Sequence, residues 1–499
     1  MKRKIISILL LHFSLLFYGQ HQIGNTIFGE APMDRSGYSV KLSSDGSIVA
    51  ISSPFNSENG SSSGNVRVFR NLNGVWIQIG NNIIGENAND NFGKSISLSS
   101  DGTIIAIGAP YSNANSNNPG YVKIFKNVND NWTQIGSNIE GEESGDTSGL
   151  AISLSSNGSI IAIGAPNNDV NGNQTGHVRV FENNGDVWEQ IGDDIDGENQ
   201  FDYFGASVSL SSNGNILSTG AINGNGAGDN TGHVKVYSFN GNSWEQVGSN
   251  IIGDILGGDF GGSLSLSSDG TIIAISDTHN REDNSSSSNY NGTVRVYKNI
   301  SNNWVQLGID IDGEGENDYS GNSVSISSDG NIVAIGASSN SNNGDGSGHV
   351  RVYKYNEEEW SKIGENIDGE GSYNGFGSSV SLSSNGEEIA IGGSGNTNVN
   401  GFMSGHVKIY SLQQALSLEN LNQKQSVSVY PNPTSNILHI NAFNKIKILK
   451  LYSLQGRLLL TKNPNKNNIR LNISSLKQGI YLVKYQINNI FLTQTVFKK

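Results

Sequence analysis

Seven carboxylates hold one place in a recurring phrase of the sequence: Glu30, Glu86, Glu142, Glu198, Asp254, Glu314 and Glu370. Four residues later stands a second acid in five copies, Asp34, Asp90, Asp146, Asp202 and Asp318, with Gly258 and Asn374 in the other two. Each pair lies between two strand-like segments, so both acids belong to a connection. Carboxylates gathered this way could hold calcium or, with neighbouring amides, a carbohydrate. A turn also uses the same group to accept hydrogen bonds from its own backbone N–H groups. Long loops rich in Asn, Asp and Gly share that face, such as "NNDVNGNQTG" (167–176) and "INGNGAGDNTG" (222–232). In these loops and a later sister, Asp169, Asn171, Asp229 and Asp345 are the calcium candidates.

His177, His233, His349 and His406 all follow a glycine at the start of a strand, where sister copies have Asn65, Tyr121 and Thr293. One imidazole per copy spreads the four too widely to share an ion whose bonds are about 2 Å long. They are therefore read as structural. No Ser-His-Asp arrangement, His-Glu-x-x-His or cysteine-based metal motif occurs. No catalytic residue is assigned and no enzyme is expected. A hydrolytic site assembled from several copies would escape a motif search, and it is kept as the alternative.

The elements that must position these residues repeat with a fixed step. "SSDG" or "SSNG" recurs at 43–46, 99–102, 155–158, 211–214, 267–270, 327–330 and 383–386, every 56 residues except for one step of 60. Trp76, Trp132, Trp188, Trp244, Trp304 and Trp360 keep the same step. In the copy at 313–368, "NSVSI" alternates and ends at an Asp-Gly hairpin signal. "NIVAIGA" follows as a buried strand whose Ala334, Gly336 and Ala337 suit close packing, then "HVRVYKY" and "WSKIGENIDG". Four antiparallel strands per copy and a period of this length predict propeller blades. Six copies own the Trp-containing strand, and the seventh ends at "GHVKIYSL" (405–412) without one. The phrase "HQIGNTIFGE" at 21–30 supplies it, so residues 21–28 should pair with the last blade. The expected fold is all-β: a seven-bladed β-propeller closed by its N-terminal strand, then a small Ig-like β-sandwich.

Composition agrees. The chain has 499 residues, 63 glycines and no cysteine, so its stability rests on packing. Residues 1–19 have a basic start and a short apolar run, the pattern of a signal peptide. No later segment has the roughly 20 apolar residues that cross a bilayer. Residues 21–412 carry 16 Lys+Arg against 44 Asp+Glu, a net charge of −28, which argues against a nucleic-acid partner. Residues 427–499 carry 11 Lys+Arg and no acid, with the lysines scattered along alternating strands as on a solvated sheet face.

Two stretches resemble known families. "FGKSISLSSDGTIIAIGAPYS" (92–112) and "GLAISLSSNGSIIAIGAPNN" (149–168) resemble the FG-GAP repeat of integrin-α-like propellers, with Phe-Gly at 92–93, 204–205, 260–261 and 376–377. That likeness implies a scaffold for protein or glycan ligands. The family's Asp-x-Asp-x-Asp-Gly calcium loop is replaced here by a bare "SSDG". The segment "VSVYPNPTSNILHI" (427–440), "KILKLYSLQGRLL" (447–459) and "NISSLKQGIYLVKY" (472–485) resembles the type A sorting domain of type IX secretion in Bacteroidetes. Tyr430, Pro431, Asn432, Pro433, Gly456, Gly479 and Tyr481 carry that resemblance. It implies engagement with the type IX machinery, export across the outer membrane, and release or attachment at the cell surface.

The expected organisation is a signal peptide (1–19), a propeller (20–412), a linker (413–426) and a sorting domain (427–499). The expected function is a secreted or cell-surface binding or adhesion protein, its propeller a recognition scaffold for a glycan or protein. A secreted hydrolase with its site at the channel mouth and a structural surface-layer component are the alternatives. No cofactor is assigned beyond calcium in the Asn/Asp loops, and no membrane span is expected.

Overall fold

A computed structural model describes residues 20–111, 119–224, 230–279, 290–412, 428–453, 457–487 and 490–499. The apolar leader, the linker at 413–426, Asp229 and Gly456 lie outside the described residues. Contacts divide the chain into two units, Met1–Gln414 and Ala415–Lys499.

The first unit contains seven five-stranded antiparallel sheets among the described residues. The third repeat is representative. Ala151–Leu154 pairs with Ile160–Ala165 across the Asn157-Gly158 turn, and that strand pairs with His177–Asn183. The outer strand expected from the Trp-containing phrase is split: Trp188–Gln190 and Ile195–Asp196 both pair with His177–Asn183. The split falls at Gly192, which has φ +73°. A Cβ there would come 2.8 Å from Trp244 of the next repeat, whose indole N–H donates to the Ile191 carbonyl at 3.0 Å. Each of the six tryptophans makes the equivalent bond to the repeat before it. The ring thus packs where the glycine leaves room, and the break in the outer strand seats the next sheet.

The N-terminal phrase joins the seventh sheet. His21–Gln22 pairs with Ser411 and Tyr410, and Ile27–Phe28 pairs with Val407 and His406. No tryptophan is left to cover Gly364, and Gln20 takes its place, with its side-chain amide donating to the Ile363 carbonyl at 3.3 Å.

The second strand of each sheet is buried along its length, as its apolar run requires. Its small residues bring neighbouring sheets into backbone contact: a Cβ on Gly336 would lie 2.1 Å from the Gly377 carbonyl oxygen. Phe92, Phe204, Phe260 and Phe376 are fully buried between sheets. At the Asp-Gly and Asn-Gly hairpins a serine N–H reaches across to the next repeat. The bonds run Ser44 to Ser100, Ser156, Ser212, Ser268, Ser328, Ser384 and back to Ser44, each 2.8–2.9 Å.

The second unit has two antiparallel sheets. One orders Ser428–Tyr430, Ile437–Ile446 and Lys466–Asn472; the other orders Leu458–Lys462, Ile448–Ser453, Gly479–Ile487 and Ile490–Lys498. Leu438, Ile440 and Leu471 of the first share one core with Leu449, Leu451 and Val483 of the second.

Candidate functional site

The seven carboxylates do not present bare charge. Each meets a cation from the third strand of the following sheet: Glu30 with Arg67, Glu86 with Lys123, Glu142 with Arg179, Glu198 with Lys235, Asp254 with Arg295, Glu314 with Arg351 and Glu370 with Lys408. The cationic side chains are 3–9% exposed and the acids 36–70%. A buried ammonium or guanidinium needs a partner, and the connection from the previous sheet supplies one. These seven cations carried no weight in the sequence reading, although the signal was present. They recur two residues after the strand's first position, and alternation puts both residues on one face.

The cation varies with its surroundings. Lysine accompanies Phe92, Phe204 and Phe376, whereas arginine accompanies Ser36, Ser148 and Ser320. Arg67 and Arg351 reach Ser36 and Ser320 at 3.2 and 3.0 Å. Arg67, Arg179 and Arg351 also donate to the Phe28, Glu140 and Asp312 carbonyls at 2.7–2.8 Å. The longer fork occupies room that an aromatic ring takes elsewhere. Arg295 beside Phe260 breaks the rule and turns to Asp310 at 2.8 Å.

The second acid of each pair is buried and caps its own turn. Asp34 accepts from the Glu30 and Ala31 N–H groups and from Asn56. Asp146 accepts from Glu142, Glu143 and Asn168 in the same way, and Asp318 from Gly315 and Asn340. Burial raises the pKa of Asp34, Asp202 and Asp318 against these bonds. Among the calcium candidates, Asp169 accepts from the Gln174 N–H at 2.7 Å and Asn171 donates to the Gly197 carbonyl at 3.0 Å. Asp345 offers its backbone carbonyl to the Tyr373 N–H at 2.6 Å.

The four histidines are buried in four separate sheets, and burial lowers each pKa to about 4. At the inner strands, six serines (Ser97, Ser153, Ser209, Ser265, Ser325 and Ser381) each accept an N–H from the next sheet. Lys41 holds the seventh such place, and burial lowers its pKa. A cavity of about 370 Å³ is lined by the hairpin serines with Leu42, Leu98, Leu154, Leu210, Leu266, Ile326 and Leu382. No carboxylate or arginine lines it among the described residues.

The connection also carries a position with positive φ in every repeat. Asn89, Gly145, Gly257 and Asn317 occupy it with φ of 62–92°, as that conformation favours. Met33, Phe201 and Tyr373 occupy it at 68°, 65° and 60°. Their side chains are 47%, 47% and 68% exposed. Phe402 (60%) and Val399 (92%) stand out from the seventh-repeat loop, and the Phe402 carbonyl accepts the Met33 N–H at 2.8 Å.

Residues 428–499 match the family model of the secretion system C-terminal sorting domain. The C-terminal unit is a type IX secretion sorting domain. The protein is therefore exported, and either secreted or attached to the cell surface. Within the sorting domain, Tyr430 stacks on His439 at 5.5 Å and accepts a bond from Asn441. Asn432 donates to the Thr495 carbonyl and accepts from the Phe497 N–H, tying the Pro-Asn-Pro segment to the last strand. Gly479 opens the strand Gly479–Ile487, and the Tyr481 hydroxyl donates to the Lys477 carbonyl at 2.8 Å.

Residues 85–125 match the FG-GAP repeat. No curated protein matches the chain. Among solved structures, a GH74 xyloglucanase from Xanthomonas campestris is 8% identical with a TM-score of 0.44, over 85% of this chain and 60% of that one. PorZ, a surface component of the type IX secretion system of Porphyromonas gingivalis, is 11% identical with a TM-score of 0.34, over 91% and 64%. A prolyl endopeptidase is 11% identical with a TM-score of 0.40, over 67% and 42%. The chain thus spans less than two thirds of each of these proteins. No helix of the described residues is long and apolar enough to cross a membrane.

Proposed function

We propose that this exported protein is a glycan-binding adhesin. On this reading the seven sheets are the blades of a closed propeller, the sorting domain is a small Ig-like sandwich, and the ligand meets the face formed by the connections and long loops. The observation that supports it is the placing of Met33, Phe201 and Tyr373 at positive φ with exposed side chains. A residue with a Cβ held in that region costs on the order of 1–3 kcal/mol, and such strain collects at functional sites. Four sister repeats avoid it with Gly or Asn. Exposed rings beside amide-rich loops are what a sugar uses, with its apolar face on the ring and its hydroxyls on the amides.

The competing readings find less support. The ion pairs on the seven outer carboxylates leave little free charge for calcium there, which moves the calcium candidates to the Asn/Asp loops. A hydrolase would want titratable groups converging on a cavity, and the serine-lined cavity offers hydroxyls and aliphatic side chains.

Binding of the full chain to a panel of bacterial and plant polysaccharides, with calcium and with a chelator, tests the proposal. Tyr373→Asn and Phe201→Gly should each weaken binding at least tenfold while the melting temperature holds or rises, since both relieve the strained backbone. Absence of saturable binding to any polysaccharide, or binding untouched by both substitutions, would sink the reading.

A further inference from the structure

Four residues after the outer-strand Gln or Lys, the repeats carry Asn82, Asn138, Asn250 and Asn366, but the third and fifth carry Asp194 and Asp310. The asparagine serves two neighbours. Its oxygen accepts from the outer-strand side chain, as from Gln78 and Lys362 (2.9 and 2.7 Å). In two repeats its N–H donates to the outer glutamate, Asn82 to Glu30 at 3.0 Å and Asn366 to Glu314 at 2.8 Å, while Asn138 turns to Glu140 at 3.2 Å. Asp194 keeps the first bond, from Gln190 at 2.7 Å. It has no N–H for the second, so it confronts Glu142 with a carboxylate.

His177 stands between them. Its Nδ1 lies 3.8 Å from Glu142 Oε2 and 3.9 Å from Asp194 Oδ2, and donor atoms of the three residues all fall within 4.8 Å of one another. The imidazole is 1% exposed, and neither ring nitrogen makes a hydrogen bond among the described residues. Asp196, opposite His177 in the sheet register, adds another carboxylate, with Oδ1 buried and unbonded among the described residues. Arg179 offsets one charge from the far oxygen of Glu142, at 3.5 Å. The fifth repeat resolves its own aspartate differently: Arg295 bonds Asp310 at 2.8 Å, and Thr293 stands where His177 would be. Buried histidines elsewhere face an outer glutamate without this second acid, beside Asn250, Asn366 or Thr26.

We propose that Glu142, His177 and Asp194 form a binding site for a divalent transition-metal ion. The imidazole nitrogen stands 3.8–3.9 Å from each carboxylate, slightly wider than tetrahedral bonds of about 2.0–2.2 Å require, so the side chains close in by a few tenths of an ångström around the ion. One neutral imidazole and two carboxylates suit zinc and its neighbours, whereas calcium prefers six to eight oxygens. The ion takes the place of the amide N–H that Asn82 and Asn366 offer to the outer glutamate in their repeats.

Calorimetric titration of the chelator-treated full chain with zinc chloride at pH 7 tests this, with calcium chloride as the control. One zinc equivalent should bind through these donors, unaffected by excess calcium. Asp194→Asn, which copies the sister repeats, and His177→Asn, which copies Asn65, should each weaken it at least tenfold. Asn250→Asp places the same acid beside His233 and Glu198 and should add a second equivalent. A chain that binds no zinc overturns the proposal, as does zinc binding unchanged in Asp194→Asn and His177→Asn. A correctly melting Asn250→Asp variant that gains no site overturns the argument that these three donors suffice.

Discussion

The fourth and fifth repeats solve one packing problem from opposite sides. In the fourth, Asp202 sits in the turn and accepts the Asn199 N–H at 3.1 Å, while Ala221 ends the second strand. In the fifth, Gly258 stands in the turn and Asp277 ends the strand. A Cβ on Gly258 would come 2.9–3.0 Å from the Asp277 carboxylate oxygens, so one acid has moved across the interface into the space of the other. Volume is preserved, but the electrostatic setting is not. Asp277 joins Asp254 and Asp310 around Arg295, and it is wholly buried. A repeat therefore conserves the filling of a space more faithfully than the chemistry of each position.

The largest expected break in this comparison comes from the cation. Arg295→Met in the fifth repeat leaves buried Asp277 with no opposite charge, and should cost about 3–5 kcal/mol. Lys235→Met in the fourth strands only Glu198, whose side chain is 63% exposed and can hydrate, at about 1 kcal/mol. Urea-unfolding midpoints of the two variants measure the gap. Equal losses would mean that Asp277 does not depend on Arg295.

A smaller and sharper test uses pH. Burial pushes the Asp277 carboxyl up to about 6; Arg295 opposes this, and Asp254 and Asp259 add to it. A raised folded-state pKa means that the folded chain holds the proton more tightly than the unfolded one. The contribution to stability is then greatest below the unfolded value of 3.8, falls as pH rises towards 6, and levels off above it. The loss is about 3 kcal/mol at most. Exchanging the pair to Gly258→Asp with Asp277→Ala copies the fourth repeat and should flatten that part of the stability profile between pH 4 and 7. Melting curves of both chains across that range decide it, and identical slopes would refute the assignment.

Much of this architecture was legible because repetition turns single residues into statistics. The 56-residue step, the tryptophans and the orphan phrase at 21–30 placed the sheets and the N-terminal pairing. The split of the outer strand was missed because Ile191-Gly192 reads as part of one extended segment until Trp244 is seen against it. The acidic face was legible as composition and misleading as chemistry. Counting 44 acids against 16 bases says nothing about Arg67 or Lys408 being buried next to the acids they neutralise. Met33, Phe201 and Tyr373 carried no local signal, since a left-handed position shows in sequence only when Gly or Asn occupies it. Asp277 stands where the sister repeats carry Ser53, Ala109, Ala165, Ala221, Ala337 and Gly393, and the space left by Gly258 gives that departure a physical account.

The smallest expected effect lies in the fourth repeat itself. If Asp202 serves there as an acceptor and a filler, its charge should matter little. Asp202→Asn keeps an oxygen to receive the Asn199 N–H and nearly the same volume, while removing a carboxylate whose pKa burial already raises. The seventh repeat has asparagine at this place, Asn374, 2% exposed. The substitution should therefore shift stability by less than about 0.5 kcal/mol at pH 7. Asp202→Ala, which abandons the turn's N–H and leaves a gap, should cost about 1–2 kcal/mol. Urea-unfolding midpoints of the two variants rank them. Reversal of that order would mean that the negative charge, and not the filled space, is what the repeat retains at this turn.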